Sequence, residues 1–194
     1  HIDMQLISAF SSIFYLNSDI NKLQELMRAA HIQPIAFFDP QYIQNNIYRT
    51  AKQTTMFIDF GSEYTSASIW TDRGPVWHTK IKLGGSDITK SICEKFNLSV
   101  ESATNIKHNV SSLLPKEMDR FTPADTAYDF SRGDVNDIII PILVDIITKI
   151  KDQCYTSFKK YHPTKIILTG GGATIEGLRD FIENAFAVIT EVIP

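Results

Sequence analysis

Lys165-Ile-Ile-Leu-Thr-Gly-Gly-Gly-Ala-Thr-Ile-Glu-Gly177 is the stretch that predicts the fold of this chain. Its β-branched, apolar beginning is typical of a strand that ends at Thr169, and three glycines follow directly. An apolar periodicity then predicts a helix that opens within Ala173-Thr-Ile-Glu-Gly-Leu178. Glycine lets a backbone approach a ligand closely, and a helix N-terminus offers free N–H groups to an anion. The stretch therefore predicts either a ligand-binding turn or a tight β–α turn that binds nothing.

Two further glycine turns lie upstream, and each follows a predicted strand. One contains Asp59, Gly61 and Ser62, and the other contains Gly84 and Gly85. If the three strands share a sheet, their turns meet at one edge, where open α/β sheets bind ligands. The Asp59 carboxylate suits Mg²⁺ bound through water, and the first turn could approach phosphates through Gly61 and Ser62. The glycines that could hold ribose and adenine are Gly84, Gly85, Gly170, Gly171 and Gly172.

Length and composition indicate a globular protein with a substantial core. The chain has 194 residues, of which 43% are hydrophobic and 21% charged, so it can form one large domain or two small ones. A net charge of −3 argues against a nucleic-acid partner. No run approaches the roughly 18 apolar residues of a transmembrane span. Cys93 and Cys154 lie in apolar helical contexts, which predicts buried thiols rather than a disulfide or a metal site.

The secondary-structure pattern changes at about residue 53. Residues 1–52 predict strand, helix, strand and helix, with the strands over 2–10 and 32–38. Residues 54–83 predict three short strands joined by tight turns, an antiparallel meander. Two helices follow, then an irregular segment over 111–133 that is either a hairpin or a surface loop. Asp134 is predicted to cap a long helix, and Pro141 inside it predicts that the helix begins twice or kinks.

The order of these motifs resembles the actin, sugar-kinase and heat-shock ATPase superfamily, and within it the FtsA family of bacterial cell-division proteins. Gly84-Gly-Ser-Asp-Ile-Thr-Lys-Ser-Ile92 is similar to that family's Gly-Gly-x-x-Ile-Thr-x-Asp-Ile, and Ile167-Leu-Thr-Gly-Gly-Gly-Ala-Thr-Ile-Glu-Gly-Leu178 is similar to its adenosine motif. The resemblance is good over 54–194 and weaker over 1–52. It implies an α/β fold, an actin-like ATPase lobe of the ribonuclease H-like type. The implied architecture is a mixed sheet with an antiparallel hairpin meander and flanking helices.

The resemblance also implies a domain organisation. Residues 1–52 would be the end of the first lobe with its inserted subdomain, in the order strand, helix, strand, helix. Residues 53–194 would be the second lobe, with a smaller subdomain at about 99–133. We expect the rest of the first lobe, with its own phosphate loop, to precede His1, so this chain would carry at most half of a nucleotide cleft. The membrane anchor of the family is an amphipathic C-terminal helix, which would follow Pro194.

The function implied by the FtsA resemblance is assembly of the cell-division machinery. Such a protein binds ATP with Mg²⁺, is at most a weak ATPase, polymerises head-to-tail and links the FtsZ C-terminal peptide to the membrane. It would work in the cytoplasm, as a peripheral protein at the inner face of the bacterial plasma membrane. The resemblance adds Lys107 and Glu176 to the nucleotide-binding residues, although Glu176 also suits the dipole of its own helix. It places the FtsZ contact at about 99–133, where Lys107, Lys116 and Arg120 are available to an acidic peptide.

The first glycine turn departs from the family motif and leaves the function open. The family hairpin reads Asp-x-Gly-Gly-Gly-Thr-Thr-Asp, whereas here Glu63 replaces a glycine and Tyr64 a threonine. A carboxylate beside a triphosphate is repulsive, and a Cβ obstructs the approach of the backbone. A hairpin with few glycines also resembles the PilM family of actin-like pilus-assembly proteins, which implies a pilus or secretion scaffold with a degenerate nucleotide site. A sugar-kinase-like phosphotransferase is a third alternative, for which no catalytic residue can be assigned.

Overall fold

The computed structural model describes residues 16–38, 40–48, 53–110, 113, 120–122 and 129–193. The chain divides into two compact units, residues 1–49 and 50–194. The described part of the first unit contains two helices, α1 (Asn17–Ala29) and α2 (Pro40–Tyr48), where the sequence predicts them. The predicted lobe boundary at residue 52 and the predicted subdomain at 99–133 stay predictions.

The predicted strand over residues 32–38 is wrong. These residues form no regular secondary structure, and most of their side chains, that of Ile35 above all, are exposed. A strand is stable only when a neighbouring strand takes up its backbone N–H and C=O groups. No described strand pairs with this segment, so local β propensity misled the prediction. The other predicted strand of this unit, over residues 2–10, lies outside the described residues.

The second unit is built on a mixed sheet of five described strands. Its elements in chain order are β1 (Thr55–Phe60), β2 (Thr65–Thr71), β3 (Gly74–Ile81), α3 (Gly85–Phe96), α4 (Val100–Val110), β4 (Arg120–Phe121), β5 (Phe130–Ser131), α5 (Arg132–Tyr161), β6 (Lys165–Thr169), α6 (Leu178–Phe186) and β7 (Ile189–Val192). The strand order is β3-β2-β1-β6-β7. The first three strands form the predicted antiparallel meander, and β6 and β7 run parallel to β1. The short strands β4 and β5 pair as a hairpin, which is one of the two alternatives for the irregular segment.

Both faces of β1 are buried, as the apolar residues on its two faces predict. Met56, Ile58 and Phe60 join the large core, which also contains side chains of α3, α5 and α6. Because successive strand residues point to opposite faces, Phe57 packs on the other face, with Trp70 and Ile167. The turn that follows β1 therefore starts from the most thoroughly packed strand of the sheet.

The long helix α5 is continuous through Pro141, so it does not begin twice. The proline lies on the exposed side of the helix, while Ile139, Leu143 and Ile146 are buried in the core. Packing of the buried side holds the helix together although the proline removes one backbone hydrogen bond. None of the helices in the described ranges, α5 included, is long and apolar enough to cross a membrane.

The N-cap of α5 is Ser131, which corrects the prediction that Asp134 caps this helix. Ser131 Oγ accepts a hydrogen bond from the Asp134 N–H at 3.2 Å, and the Asp134 carboxylate accepts bonds from the Ser131 N–H at 2.8 Å and the Ser131 hydroxyl at 2.6 Å. This reciprocal arrangement is a capping box. The hydrogen bond from the Ser131 side chain, followed by the one from its backbone, lowers the pKa of Asp134.

Replacing Asp134 with asparagine is expected to lower the free energy of unfolding at neutral pH by roughly 0.5–1 kcal/mol. An aspartate with a lowered pKa contributes stability above its unfolded-state pKa, near 3.8, and this contribution is lost as the pH falls through the folded-state value. The difference between wild type and variant should therefore shrink below about pH 4. Urea denaturation at pH 7 and pH 3 measures it. Asp137→Asn, on the same helix but outside the capping box, is the control, and an equal loss in both variants would contradict the prediction.

Both cysteines carry free thiols, as predicted. Cys154 is buried, and this burial raises its pKa to about 11, so the thiolate is hardly populated at neutral pH. Cys93 is only half-buried, so the prediction of a buried thiol holds for Cys154 and in part for Cys93.

Candidate functional site

The loops after β1, β3 and β6 meet at one cavity of about 350 Å³. Its volume lies at the lower end of the range for small-molecule pockets, and its apolar part includes Ile88, Leu143 and Ile146. The sequence-predicted residues that the structure brings to its wall are Gly61, Ser62, Gly84, Gly85, Lys107, Gly171 and Gly172. The three glycine turns therefore converge at one edge of the sheet.

The hairpin after β1 is fastened to the N-terminus of α3. The Gly85 N–H donates to the Gly61 carbonyl at 3.0 Å, and the Ser86 N–H donates to the Ser62 carbonyl at 2.8 Å. The hydroxyls of Ser62 and Ser86 also share a hydrogen bond of 2.8 Å. Two of the N–H groups that a helix start normally offers to an anion are thus already used.

Because of these hydrogen bonds to α3, two backbone N–H groups of the hairpin point away from that helix. In a trans peptide the C=O and the following N–H point in opposite directions. Because the carbonyls of Gly61 and Ser62 face α3, the N–H groups of Ser62 and Glu63 point away from it. No described group accepts a hydrogen bond from either N–H. The hairpin, rather than the helix, therefore presents two adjacent backbone N–H donors, which suit an anion.

At two of the glycines that were predicted to bind a ligand, close packing leaves no space for a side chain. A Cβ on Gly84 would lie 2.6 Å from the Gly61 carbonyl oxygen, and one on Gly170 would lie 2.6 Å from the Phe60 carbonyl oxygen. Gly170 also has φ 85° and ψ 165°, a conformation that is essentially restricted to glycine. A Cβ on Gly171, by contrast, would have no neighbour within 4 Å among the described residues. Gly171 is thus the glycine of this turn whose Cβ position faces open space.

The helix after the triple-glycine turn begins at Leu178, the last residue of the predicted stretch, and a 3₁₀ turn separates it from the glycines. Residues Gly171–Thr174 form one 3₁₀ turn, and Gly177 has a positive φ of 83° before α6 begins at Leu178. Glu176 lies in this connection and outside the cavity wall. Its carboxylate is 3.3 Å from the guanidinium of Arg132, whose side chain is largely buried. The structure therefore places Glu176 in an ion pair between the connection and α5.

Lys107 provides a positive charge in the cavity wall. Its amine donates to the Gly85 carbonyl at 3.1 Å and to the Thr89 hydroxyl at 2.9 Å. Burial lowers the pKa of Lys107. Among the described residues no carboxylate lies within 4.0 Å of this amine, so its charge is available to an anionic or polar ligand.

Two polar residues of the wall, His108 and Thr174, are missing from the predicted site. Adjacent helix residues point about 100° apart, so the assignment of Lys107 gives no reason to include His108. Thr174 follows the glycines in the 3₁₀ turn, where its hydroxyl donates to the Gly171 carbonyl at 2.8 Å. Neither residue could be identified without the conformation of the loops.

Asp59 lies beside the cavity but not in its wall. It is opposite Ser66 of β2 and Thr169 of β6 in the sheet, on the face of β1 that Phe60 does not occupy. Burial raises the pKa of the Asp59 carboxyl, and the neighbouring Thr169 hydroxyl has a smaller effect in the opposite direction. The Thr169 hydroxyl itself is buried without a fully formed hydrogen bond.

A single half-buried carboxylate fits one kind of magnesium site. No group of three or more His, Cys, Asp or Glu side chains in the described ranges could hold a metal by itself. Mg²⁺ usually keeps several waters and binds through one or two carboxylates together with substrate phosphates. Asp59 is therefore suited to Mg²⁺ that arrives with a phosphate ligand.

The predicted partner contacts are only partly described. Arg120 is exposed on β4, and Lys116 lies outside the described residues. The Lys107 amine lies in the cavity wall, where it donates hydrogen bonds to Gly85 and Thr89 of α3. The acidic-peptide contact at about 99–133 stays a prediction.

Sequence comparisons connect the chain with two groups of bacterial assembly proteins. A family model described as type IV pilus assembly protein PilM matches residues 41–194. The cell division protein FtsA of Buchnera aphidicola subsp. Acyrthosiphon pisum (strain APS) is 26% identical over 144 residues, which is 66% of this chain and 34% of that protein. The chain thus spans about a third of the length of this curated relative.

Solved structures show the same fold at low sequence identity. The PilM–PilN type IV pilus biogenesis complex matches with a TM-score of 0.68 at 20% identity, over 90% of this chain and 47% of that chain. MreB5 of Spiroplasma citri bound to AMPPNP matches with a TM-score of 0.73 at 14% identity, over 92% and 60%. An archaeal actin homologue in complex with ADP gives 0.60 at 16% identity, over 79% and 48%. The predicted actin-like ATPase fold and the relationship to FtsA and PilM are confirmed.

Proposed function

This chain belongs to the family of the type IV pilus assembly protein PilM, and we propose that it is a nucleotide-binding lobe of an actin-like assembly protein. The observation that carries the proposal is the convergence of three glycine loops on one cavity that has a half-buried amine in its wall. Nucleotides are bound in such crevices at the carboxyl ends of strands in open α/β sheets. The proposed ligand is ATP with Mg²⁺.

The arrangement supports one placement of the nucleotide. The nucleoside would lie in the cavity over Gly171 and against Ile88 and Leu143, with the Lys107 amine beside it. The phosphates would pass the hairpin, whose free N–H groups suit an anion, toward the face of the sheet that carries Asp59. Mg²⁺ bound there would reduce the negative charge of the phosphates.

The same site gives little support to a phosphotransferase. The wall residues that the structure describes include no carboxylate, so none of them offers a carboxylate base for water or for a sugar hydroxyl. No catalytic role is assigned to Glu63 or Tyr64, which replace motif residues of the hairpin. We therefore propose binding and assembly, with at most weak ATP hydrolysis.

The proposed context is pilus assembly, with a PilN-like protein as partner. The family match over residues 41–194 supports this role, as does the fold shared with the PilM–PilN complex. The second candidate is an FtsA-like role in cell division, with head-to-tail polymers and an FtsZ peptide as partner, which the 26% identity to an FtsA protein supports. Either role would place the protein in the bacterial cytoplasm, at the inner face of the plasma membrane.

Two binding experiments test the proposal. Calorimetry with Mg-ATP on the protein as its gene encodes it, and on residues 1–194, is expected to show micromolar affinity at least for the former. No binding to either would overturn the nucleotide proposal and leave a scaffold that kept only the fold. Capture experiments with PilN and with the FtsZ C-terminal peptide from the same organism then separate the two roles, since only the correct partner should be retained.

Replacing Asp59 with asparagine is expected to raise thermal stability at neutral pH. Because burial raises the pKa of Asp59 above its ordinary value of 3.8, the carboxylate is less favourable in the folded than in the unfolded protein. This penalty grows as the pH rises from about 4 through the raised pKa, and it is absent from the variant. Melting temperatures at pH 4 and pH 7 should show the larger gain at pH 7.

The same variant tests the role of Asp59 toward Mg²⁺. If Asp59 holds the ion through water, the Asp59→Asn variant should bind ATP with the same affinity in EDTA as in Mg²⁺. The wild-type protein should bind more tightly in Mg²⁺. An undiminished Mg²⁺ effect in the variant would contradict the assignment, whatever its melting temperature.

A further inference from the structure

A second cationic side chain lies at the hairpin, on the sheet face opposite the cavity. The Lys80 amine lies 4.1 Å from the centroid of the Tyr64 ring, which is within the range of a cation–π interaction. Among the described residues no carboxylate lies within 4.0 Å of this amine. Lys80 is exposed, so an aromatic ring rather than an ion pair fixes its position.

The register of the meander places Lys80 in one row with Asp59. Asp59 is opposite Ser66 in the β1–β2 pair, and Ser66 is opposite Lys80 in the β2–β3 pair. Residues directly opposite each other in antiparallel strands point to the same face. With neighbouring strands about 4.8 Å apart, the backbones at Asp59 and Lys80 are roughly 10 Å apart. A carboxylate and an amine thus lie in one row on this face beside the hairpin, with Ser66 between them.

Backbone hydrogen bonds of the hairpin hold the main chain of Tyr64 in place. The Gly61 N–H donates to the Tyr64 carbonyl at 3.0 Å, and the Ser62 carbonyl is bonded to α3. An exposed lysine normally samples many rotamers and loses that entropy when it binds. The ring of Tyr64 restricts the amine before any ligand arrives, which lowers this cost.

We propose that Lys80, positioned by Tyr64, binds the terminal phosphate of a nucleoside triphosphate whose nucleoside lies in the cavity. The inference rests on the proposed function and identifies a specificity-determining residue of the same site. Tyr64, one of the two departures from the hairpin motif, then serves phosphate binding by placing a cation that the motif does not contain. The amine also offsets the negative charge of Glu63, which follows Ser62 at the same turn.

The test compares Lys80→Gln with Lys82→Gln, which makes the same charge change two residues further along at another exposed position. Affinities for Mg-ATP and for AMP are measured by calorimetry at low and at physiological salt. A hydrogen bond to a charged group is worth about 1.5–3 kcal/mol, so Lys80→Gln should weaken ATP binding roughly 10- to 100-fold. AMP affinity should change less than about twofold, since AMP has no terminal phosphate at this position. Lys82→Gln should change the affinities for ATP and for AMP by less than about twofold.

Variants of Tyr64 separate the ring from its hydroxyl. Tyr64→Phe keeps the aromatic face and should bind ATP like the wild type, whereas Tyr64→Ala should follow Lys80→Gln in its loss of ATP affinity. Loss of AMP and ATP affinity to the same extent in Lys80→Gln, or no greater loss than in Lys82→Gln, would overturn the inference and leave the proposed function intact. If the wild-type protein bound neither AMP nor ATP, the inference and the proposed function would fail together. Wild-type ATP affinity in Tyr64→Ala would overturn the positioning role of the ring.

Discussion

Replacing Gly170 with alanine is expected to lower the free energy of unfolding by roughly 2–5 kcal/mol, the sum of a backbone and a steric penalty. The backbone at Gly170 has φ 85° and ψ 165°, which a residue with a Cβ adopts only under strain. The new Cβ would also lie 2.6 Å from the Phe60 carbonyl oxygen and collide with the Asp59 carboxylate. Both neighbours belong to the central strand, which cannot move without disturbing the core on both faces.

Gly171→Ala is the matched control for this prediction. It adds the same methyl group one residue further on, where no atom of the part of the chain that the structure describes lies within 4 Å. Its free energy of unfolding should stay within about 0.5 kcal/mol of the wild type, as for substitutions away from packed features. Guanidinium denaturation of both variants measures the difference. Equal stability of the two variants would show that the backbone at residue 170 is not held against β1 as the structure has it.

The contrast between these glycines shows what the sequence could and could not predict. Three consecutive glycines after a β-branched run predict a close turn, and the turn lies where they predict it. They do not reveal that Gly170 is required by the neighbouring strand while Gly171 faces open space. That distinction depends on the position of Phe60 in β1, more than a hundred residues earlier in the chain, and no local pattern contains it.

Strong periodicity predicted most elements of the second unit because packing and propensity agree there. β1 has apolar residues on both faces and is buried on both, and α5 has an apolar stripe that lies in the core. The segment over residues 32–38 has similar β propensity, but no described strand pairs with it. Strand formation requires a partner, so a segment without one cannot be predicted reliably from its own residues.

The candidate site was predictable to the extent that glycines marked its loops. Gly61, Gly85 and Gly171 lie in the wall of the cavity, as does Lys107. The placement of Glu176 in an ion pair with Arg132 depends on a contact between residues 44 positions apart. The start of α6 after a 3₁₀ turn, which moves Glu176 out of the cavity wall, follows from the positive φ of Gly177. Gly177 was visible in the sequence, but its role as a helix boundary was not.

Replacing Gly171 with leucine is expected to abolish ATP binding, with a loss of affinity of at least about 100-fold, or about 2.7 kcal/mol. Gly171 lies in the wall of a cavity of about 350 Å³, and a Cβ attached to it would have no described neighbour within 4 Å. A leucine side chain would therefore extend into the open space beside the turn, where we propose that the nucleoside lies. Gly171→Ala, which adds one methyl group, should cause a smaller loss of affinity.

In the Gly171→Leu variant, ATP affinity is expected to fall while the free energy of unfolding stays almost unchanged. Because the leucine enters open space rather than the core, the free energy of unfolding should change by less than about 1 kcal/mol. Calorimetric titration with Mg-ATP and denaturation of the same preparation therefore distinguish a blocked site from a misfolded protein. Wild-type affinity in a stably folded Gly171→Leu variant would mean that any nucleotide binds elsewhere. A graded loss from glycine to alanine to leucine would instead locate the nucleoside at the open side of the triple-glycine turn, because only the volume at residue 171 changes along the series.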